Sequence, residues 1–200
     1  MKLHFFHKLL IIALVLGFTF VYSYYEKNKY YNDQRSQEYV LKELPNFNVK
    51  SIGSDTLINS REFAASSAGL FVHLWGTWCA PCETEMPDFL EYARKVEETG
   101  AKFLLIAVND EEPKIQKFLK RFPNLPKNVT YVIDHENKVL DLLGTLKVPE
   151  TFLFSNQGKH INKFIGPQEW RSPSYVTRLN FWLGGQGSAQ EGEQKAVETH

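Results

Sequence analysis

The feature that most constrains this chain is a cysteine pair, Cys79 and Cys82, placed where an apolar run gives way to a helical pattern. These are the only two cysteines among 200 residues. The run before them, residues 69–75, is nearly all apolar, as expected of a strand covered on both faces of a sheet. Pro81 suits the first turn of a helix, where its missing N–H costs nothing. A single close pair in such a chain indicates a reactive or metal-binding site rather than a disulfide framework.

The charge balance excludes one class of function. The chain carries 23 basic and 23 acidic side chains, so it has no bulk field that would attract nucleic acid. Hydrophobic residues make up 43% of the sequence, which is enough for a packed core without cysteine staples. We therefore expect a globular domain with reactive cysteines and no nucleic-acid partner.

The amino terminus has the pattern of a membrane anchor. Basic residues precede an apolar run at 9–21, and Tyr22, Tyr24 and Tyr25 follow it before charge returns. With its aromatic neighbours the run approaches the roughly 20 residues that cross a bilayer. We predict one transmembrane helix within residues 1–25, with the rest of the chain on the extracytoplasmic side. A cleaved signal segment is the alternative, although no small-residue cleavage pattern follows the run.

The remaining chain divides into a tether, a domain and a tail. We predict a polar tether at 26–40, a folded domain at 41–183, and a disordered tail at 184–200 that has too few apolar residues to fold. Within the domain, hydrophobic periodicity alternates between strand and helix. Strands are predicted at 44–49, 55–58, 69–75, 102–108, 129–133, 151–154 and 160–165. Helices are predicted after Ser60, which could cap the first of them, after Pro81 with a kink at Pro87, and at 113–122, 139–143 and 173–183. This order predicts a three-layer α/β sandwich with a mixed sheet.

Three stretches carry a family resemblance. They are Trp75-Gly76-Thr77-Trp78-Cys79-Ala80-Pro81-Cys82 with Glu85 and Pro87, the opening Leu44-Pro45-Asn46-Phe47, and Val148-Pro149-Glu150-Thr151-Phe152-Leu153. Together with the anchor, they resemble the thioredoxin fold, and within it the membrane-anchored TlpA-like branch that includes ResA-type and CcmG/DsbE-type proteins. The strand and helix at about 129–143 resemble that branch's central β-α insert. The resemblance covers about 140 residues.

Thiol chemistry assigns different roles to the two cysteines. A sulfur at the helix start meets unpaired N–H groups and the positive end of the helix dipole, so Cys79 is predicted to be the attacking thiolate. Cys82, one turn further and more buried, would resolve the mixed disulfide and leave a Cys79–Cys82 disulfide as product. A purely structural disulfide is the alternative, but so short a ring adds little stability.

Two further residues are predicted to handle protons. Glu85 lies three residues after Cys82 on the same helical face, and a carboxyl near a buried thiol would have a raised pKa. In the resembling branch, a glutamate here exchanges a proton with the resolving cysteine; the alternative is a solvated glutamate. His73 occupies a strand position where that branch often has Asn. It could hydrogen-bond Glu85 or relay a proton, or it could be a satisfied core histidine.

The resemblance also implies a second wall of the site. Pro149 would follow a cis peptide bond and face the disulfide, leaving the backbone of Val148 free to pair with an extended substrate. An ordinary trans proline at a strand entry is the alternative. Glu150 and Trp78 are predicted to contact the substrate.

These residues predict an extracytoplasmic thiol-disulfide oxidoreductase anchored in the bacterial inner membrane. The resemblance implies reduction of protein disulfides, such as that of apocytochrome c during cytochrome c maturation, with electrons from a DsbD/CcdA-type membrane protein. No cofactor beyond the redox-active disulfide and no metal is expected. The alternatives are an oxidising or isomerising enzyme, a copper metallochaperone using Cys79, Cys82 and a histidine such as His135, and an interaction module with an incidental cysteine pair.

Overall fold

A computed structural model of the chain describes residues 15–26 and 41–183. Residues 15–26 are helical, and the chain divides into two compact units between Val40 and Leu41. Among these described residues, no helix combines the length and apolarity that a bilayer crossing requires. The first 14 residues of the predicted anchor, the tether from residue 27 and the predicted tail lie outside the described residues.

The domain is built on one seven-stranded mixed sheet. Its strands, in chain order, are β1 (Asn48–Ser51), β2 (Leu57–Asn59), β3 (Gly69–Trp75), β4 (Ala101–Val108), β5 (Val129–Asp134), β6 (Glu150–Phe154) and β7 (His160–Ile165). Their order across the sheet is β2-β1-β5-β4-β3-β6-β7. Strands β3, β4 and β5 run parallel, whereas the other pairings are antiparallel. The thioredoxin-like mixed sheet predicted from the alternating pattern is confirmed.

Helices cover both faces of the sheet. They are α1 (Ser60–Ala65), α2 (Ala80–Lys95), α3 (Glu112–Leu119), α4 (Lys138–Leu143) and α5 (residues 173–183), with a 3-10 turn at Glu97–Thr99. Buried residues of α2, α3 and α5 pack in one apolar cluster, and those of α1 and α4 pack in a second cluster. Apolar side chains of β3 alternate between these two clusters, which explains why the whole strand is buried.

Two local predictions need correction or completion. Asn59, not Ser60, caps α1, because its side chain accepts hydrogen bonds from the N–H groups of Arg61 and Glu62. The Ser60 hydroxyl is buried and donates instead to the Pro45 carbonyl at 2.7 Å. Pro87 lies inside α2, which continues through it to Lys95.

The central strand delivers the cysteines to one edge of the sheet. Strand β3 ends at Trp75, and a four-residue connection leads to α2, whose N-cap is Cys79. Strand β4 runs parallel to β3, so the residues after Val108 reach the same edge. Strand β6 runs antiparallel with Leu74 opposite Glu150, which places the residues before β6 at that edge as well. Three loops therefore meet around the start of α2.

Candidate active site

The two cysteines form a disulfide at the amino end of α2. The Cys79–Cys82 bond spans three residues in sequence, and the Cys79 sulfur accepts a hydrogen bond from the Cys82 N–H at 3.3 Å. Cys79 is 5% exposed, whereas Cys82 is fully buried. Cys79 is thus the sulfur nearer to solvent and the one at the helix start, where backbone N–H groups favour a thiolate.

The loop before Cys79 is held by the end of β4. Asp110 accepts from the Thr77 N–H at 2.6 Å and from the Thr77 hydroxyl at 3.0 Å. The Trp78 indole donates to the Val108 carbonyl at 3.1 Å. A methyl group on Gly76 would lie 2.5 Å from the Trp78 indole nitrogen, so only glycine fits under that ring. These contacts orient the loop while leaving Trp78 57% exposed, as its predicted substrate contact requires.

Glu85 is a buried carboxyl that has no cationic partner within residues 15–26 and 41–183. Its Oε2 accepts from the Gln168 N–H and from the Trp170 indole, both at 3.0 Å. Its Oε1 has no hydrogen-bond partner among the described residues. Burial raises the pKa of Glu85, and the two N–H donors oppose that rise in part. Such a carboxyl can bind and release a proton nearer to neutral pH than a solvated one.

His73 lies beneath Glu85 in β3. The ring is fully buried, stacks on Phe89 at 4.5 Å between centroids, and places Nδ1 2.8 Å from the Thr151 hydroxyl. Its Nε2 lies 3.8 Å from Glu85 Oε1, too far for a hydrogen bond. Burial lowers the pKa of His73 to about 3, so the ring is neutral and the contact is not an ion pair. The predicted proximity of His73 to Glu85 is present, but a direct hydrogen bond is not.

A pocket of about 390 Å³ brings solvent to Glu85. It lies beside the start of α2 and reaches the loop that follows β7. Its lining residues are Pro81, Thr84, Glu85, Asp88, Pro167, Gln168, Glu169 and Arg171. His73 is fully buried, so this pocket is where solvent approaches the carboxyl of Glu85.

The second wall is a cis peptide bond between Val148 and Pro149, directly before β6. The Pro149 carbonyl accepts from the Gly166 N–H at 2.9 Å. Among the described residues, Val148 makes no backbone hydrogen bond, and it is half-buried. Its backbone is therefore unpaired, as pairing with an extended substrate would need.

The predicted substrate contact through Glu150 requires correction. This side chain is only 3% exposed, because it lies within the strand ladder opposite Leu74 and Ile165. Its carboxylate is 3.0 Å from the Lys163 ammonium and also accepts from the Thr145 hydroxyl. Its oxygens are already paired inside the domain, so they are not placed to contact a substrate.

Several residues of the site were not predicted from sequence. Trp170 and Gln168 bind Glu85 from the segment between β7 and α5, more than 80 positions away, and no local pattern marks them. Asp110 carried a weak signal: it follows a buried parallel strand, and carboxyl ends of parallel strands share an edge. Across residues 15–26 and 41–183, no group of three or more His, Cys, Asp or Glu side chains is placed to hold a metal ion.

Comparison with known proteins identifies the family. Residues 40–161 match the AhpC/TSA family. The chain belongs to this family. It is 29% identical over 160 residues to "Thiol-disulfide oxidoreductase ResA" of Bacillus cereus, which covers 80% of this chain and 85% of the relative. The resemblance to ResA-type proteins predicted from the active-site stretches is therefore confirmed.

Solved structures share the fold. MTB DsbF, described in mixed oxidised and reduced forms, matches with a TM-score of 0.58 and 20% identity over 70% of this chain and 98% of that one. A thiol:disulfide interchange protein from Chlorobium tepidum matches with a TM-score of 0.55 and 19% identity, over 69% and 94% of the two chains. At these identities the likeness is one of fold.

Proposed function

We propose that this chain is a membrane-tethered, extracytoplasmic thiol-disulfide oxidoreductase that reduces disulfides in partner proteins, with apocytochrome c as its substrate. The observation that carries the proposal is the Cys79–Cys82 disulfide at the start of α2, at the same edge of the sheet as the cis Val148–Pro149 step. The reaction class also agrees with the name of the ResA relatives.

The reaction needs only the two sulfurs and a proton carrier. In the reduced protein, the Cys79 thiolate attacks one sulfur of a substrate disulfide, forming a mixed disulfide and releasing a substrate thiolate. Cys82 then loses its proton and attacks Cys79, which expels the second substrate thiolate. Two electrons pass to the substrate, and the Cys79–Cys82 disulfide forms. Glu85 takes the Cys82 proton and returns it to solvent through the pocket.

The substrate would lie along the unpaired backbone of Val148. An extended segment can add to this position as a short strand, with its cysteine facing Cys79. Trp78 offers an exposed aromatic surface next to the nucleophile. Neither contact requires a particular substrate side chain. This arrangement fits an enzyme that binds an unfolded segment containing cysteine.

The reductive direction, the membrane location and the electron donor are parts of the same proposal. The basic amino-terminal flank supports an anchor with the domain outside the cytoplasm. A DsbD/CcdA-type membrane protein would return the disulfide to the dithiol. An enzyme that oxidises or isomerises its substrates would use the same two sulfurs with the opposite net electron flow.

Trapping of reaction partners tests the proposal. In a Cys82→Ser variant the mixed disulfide at Cys79 cannot be resolved, so we expect covalent adducts with apocytochrome c in cells. The matched Cys79→Ser variant keeps Cys82, which is fully buried, and should trap nothing. Adducts that contain no cytochrome c maturation component would refute the substrate, and no adducts at Cys79 would refute the enzyme mechanism.

A further inference from the structure

Two buried polar atoms, one from β3 and one from α2, face each other inside the domain. His73 Nε2 and Glu85 Oε1 are 3.8 Å apart, and neither has a hydrogen-bond partner among the described residues. Buried polar atoms are paired in the great majority of native structures, so such a pair calls for an explanation. A shift of about 1 Å would bring the two atoms within hydrogen-bond distance.

The contacts of Glu85 determine where its proton must sit. Oε2 already accepts two N–H donors, from Gln168 and Trp170. A proton on the carboxyl is therefore carried by Oε1, and the atom that faces Oε1 is His73 Nε2. A protonated Oε1 needs a hydrogen-bond acceptor at His73 Nε2, whereas an ionised Oε1 needs a donor there.

The other nitrogen of His73 can serve either case. Nδ1 lies 2.8 Å from the Thr151 hydroxyl, which can donate or accept. If Thr151 donates to Nδ1, the ring proton is on Nε2 and points at Glu85. If Nδ1 carries the proton and donates to Thr151, Nε2 presents its lone pair to Glu85. The ring can thus meet both protonation states of Glu85 while staying neutral.

We propose that His73 is a positioning residue for Glu85 whose tautomer follows the protonation of that carboxyl. When Glu85 is ionised, His73 donates Nε2–H to Oε1. When the pair takes up one proton from solvent, the Nε2 proton passes to Oε1, the proton gained is bound at Nδ1, and Nε2 accepts a hydrogen bond from Oε1–H. The pair gains one proton overall, and the charge of His73 does not change.

Other charged and titratable groups around the pair do not take this role. From α5, Tyr175 approaches Glu85, but its hydroxyl donates to Gln168 Oε1 at 3.0 Å. Arg171 lines the pocket and is held by Asp88 and Glu91. Glu169 also lines the pocket, and Cys82, on the helix of Glu85, is in the disulfide. Phe89 covers the face of the His73 ring.

The inference deepens the proposed function, since it concerns the carboxyl proposed to exchange a proton with Cys82. A neutral partner that can donate or accept would let Glu85 change its charge twice per turnover without placing a second charge in the core. Its test nevertheless uses the oxidised protein alone, so failure of the substrate proposal and failure of this inference can be told apart.

The first test is 15N and 13C NMR of the oxidised full chain over a pH series. The ring nitrogens of His73, assigned with a His73→Phe variant, should move from the Nε2–H to the Nδ1–H pattern as pH falls. The midpoint should equal that of the Glu85 carboxyl carbon. A single tautomer throughout that titration, or a doubly protonated ring at pH 7, would overturn the proposal.

The second test uses two substitutions with opposite expected signs. In His73→Phe, Glu85 loses a donor that favours its ionised form more strongly than its neutral form, so its proton affinity should rise about tenfold. In Thr151→Val, an Nδ1–H would have no acceptor, so the ring is fixed as a donor to the carboxylate and the proton affinity of Glu85 should fall about tenfold. Thr130→Val is the matched control, because Thr130 is also a strand threonine but lies on the opposite face of the sheet. It should leave the proton affinity of Glu85 unchanged.

The double variant decides whether Thr151 acts through the ring. With phenylalanine at position 73, the Thr151→Val substitution should no longer change the pKa of Glu85. An equal effect of Thr151→Val in both backgrounds, or shifts of the same sign in the two single variants, would refute the tautomer mechanism. If His73→Phe does not fold, the Thr151→Val shift and the wild-type NMR titration still decide the question.

Discussion

Two glutamates, Glu85 and Glu150, are buried in the domain, and their partners differ in kind. Glu150, in β6, is 3.0 Å from the ammonium of Lys163 and also accepts from Thr145. Glu85, in α2, has two neutral N–H donors on one oxygen and the neutral ring of His73 opposite the other. One carboxylate is therefore compensated by a cation, and the other is not.

Glu150 belongs to a structural ion pair, whereas Glu85 is the carboxyl proposed above to exchange a proton. The Lys163 ammonium lies beside the Glu150 carboxylate, and the position of Glu150 in β6, between β3 and β7, gives it no route to a substrate. Without a cation, Glu85 has a raised pKa, and the pocket connects it to solvent. The same residue type is thus paired with a cation at one place and, at the other, has the proton-exchange role proposed above.

The largest expected effect concerns the neutral partner of Glu85. Burial lowers the pKa of His73 from 6.5 to about 3, so below pH 6.5 the unfolded chain binds a proton that the folded chain does not. Stability should therefore fall as pH decreases from 6.5 towards 3. The loss at pH 4 should be about 3 kcal/mol relative to pH 6.5.

Urea unfolding at several pH values measures this contribution. In His73→Phe, which keeps a ring against Phe89, the difference in unfolding free energy between pH 6.5 and 4 should shrink by that amount. The exposed His135 provides a control, since His135→Gln should retain the wild-type acid sensitivity. An unchanged pH dependence in His73→Phe would mean that His73 is not held neutral by the fold.

Catalysis gives the next largest contrast. Glu85→Gln keeps the shape of the side chain and an acceptor for Trp170 but removes the proton carrier, so resolution of the mixed disulfide should slow by about 100-fold. It should also lose the part of its pH dependence that follows Glu85, while the dependence on the Cys82 thiolate remains. The matched Glu150→Gln variant should exchange at close to the wild-type rate. Stopped-flow fluorescence with a disulfide peptide measures both, and equal slowing would contradict the division of roles.

Removal of the cation from the structural pair should cost stability instead. Lys163→Met leaves the Glu150 carboxylate buried without its counter-charge. Because Lys163 is itself 30% exposed, the expected loss is about 2 kcal/mol, below the range for a fully buried pair. The double variant Lys163→Met/Glu150→Gln should recover most of it in urea unfolding. If the double variant loses as much unfolding free energy as Lys163→Met alone, the cause is the methionine and not the unpaired Glu150 carboxylate.

The contrast also shows how far sequence reasoning reaches. The strand-to-helix step at Cys79 was predictable because periodicity and Pro81 are local signals, and the Val148–Pro149 step was predictable from family resemblance. The partners of the two glutamates were not. Lys163 meets Glu150 through the register of β6 and β7, and Trp170 meets Glu85 across 85 positions. The sequence predicts a substrate contact for Glu150, which follows Pro149, but its side chain is buried among partners inside the domain.

The smallest expected effect is the contribution of Glu85 to the pH dependence of stability. Its pKa is raised in the folded chain, so above the unfolded value near 4.5 the folded state retains a proton that the unfolded state has lost. Stability should fall with rising pH from there to the raised pKa, by at most about 1.4 kcal/mol per pH unit, and then level off. The two N–H bonds to Oε2 oppose the rise in the pKa of Glu85 and so limit this window. Urea unfolding of Glu85→Gln at several pH values tests this contribution. The variant should abolish the fall and be more stable than the wild type at pH 7, whereas the two should be similar at pH 4.

The pH trends from His73 and Glu85 have opposite signs between pH 4.5 and 6.5. The control is therefore Glu85→Gln compared with the wild type in the His73→Phe background. A Glu85→Gln variant that is less stable than the wild type at pH 7 would mean that the fold compensates the carboxylate charge.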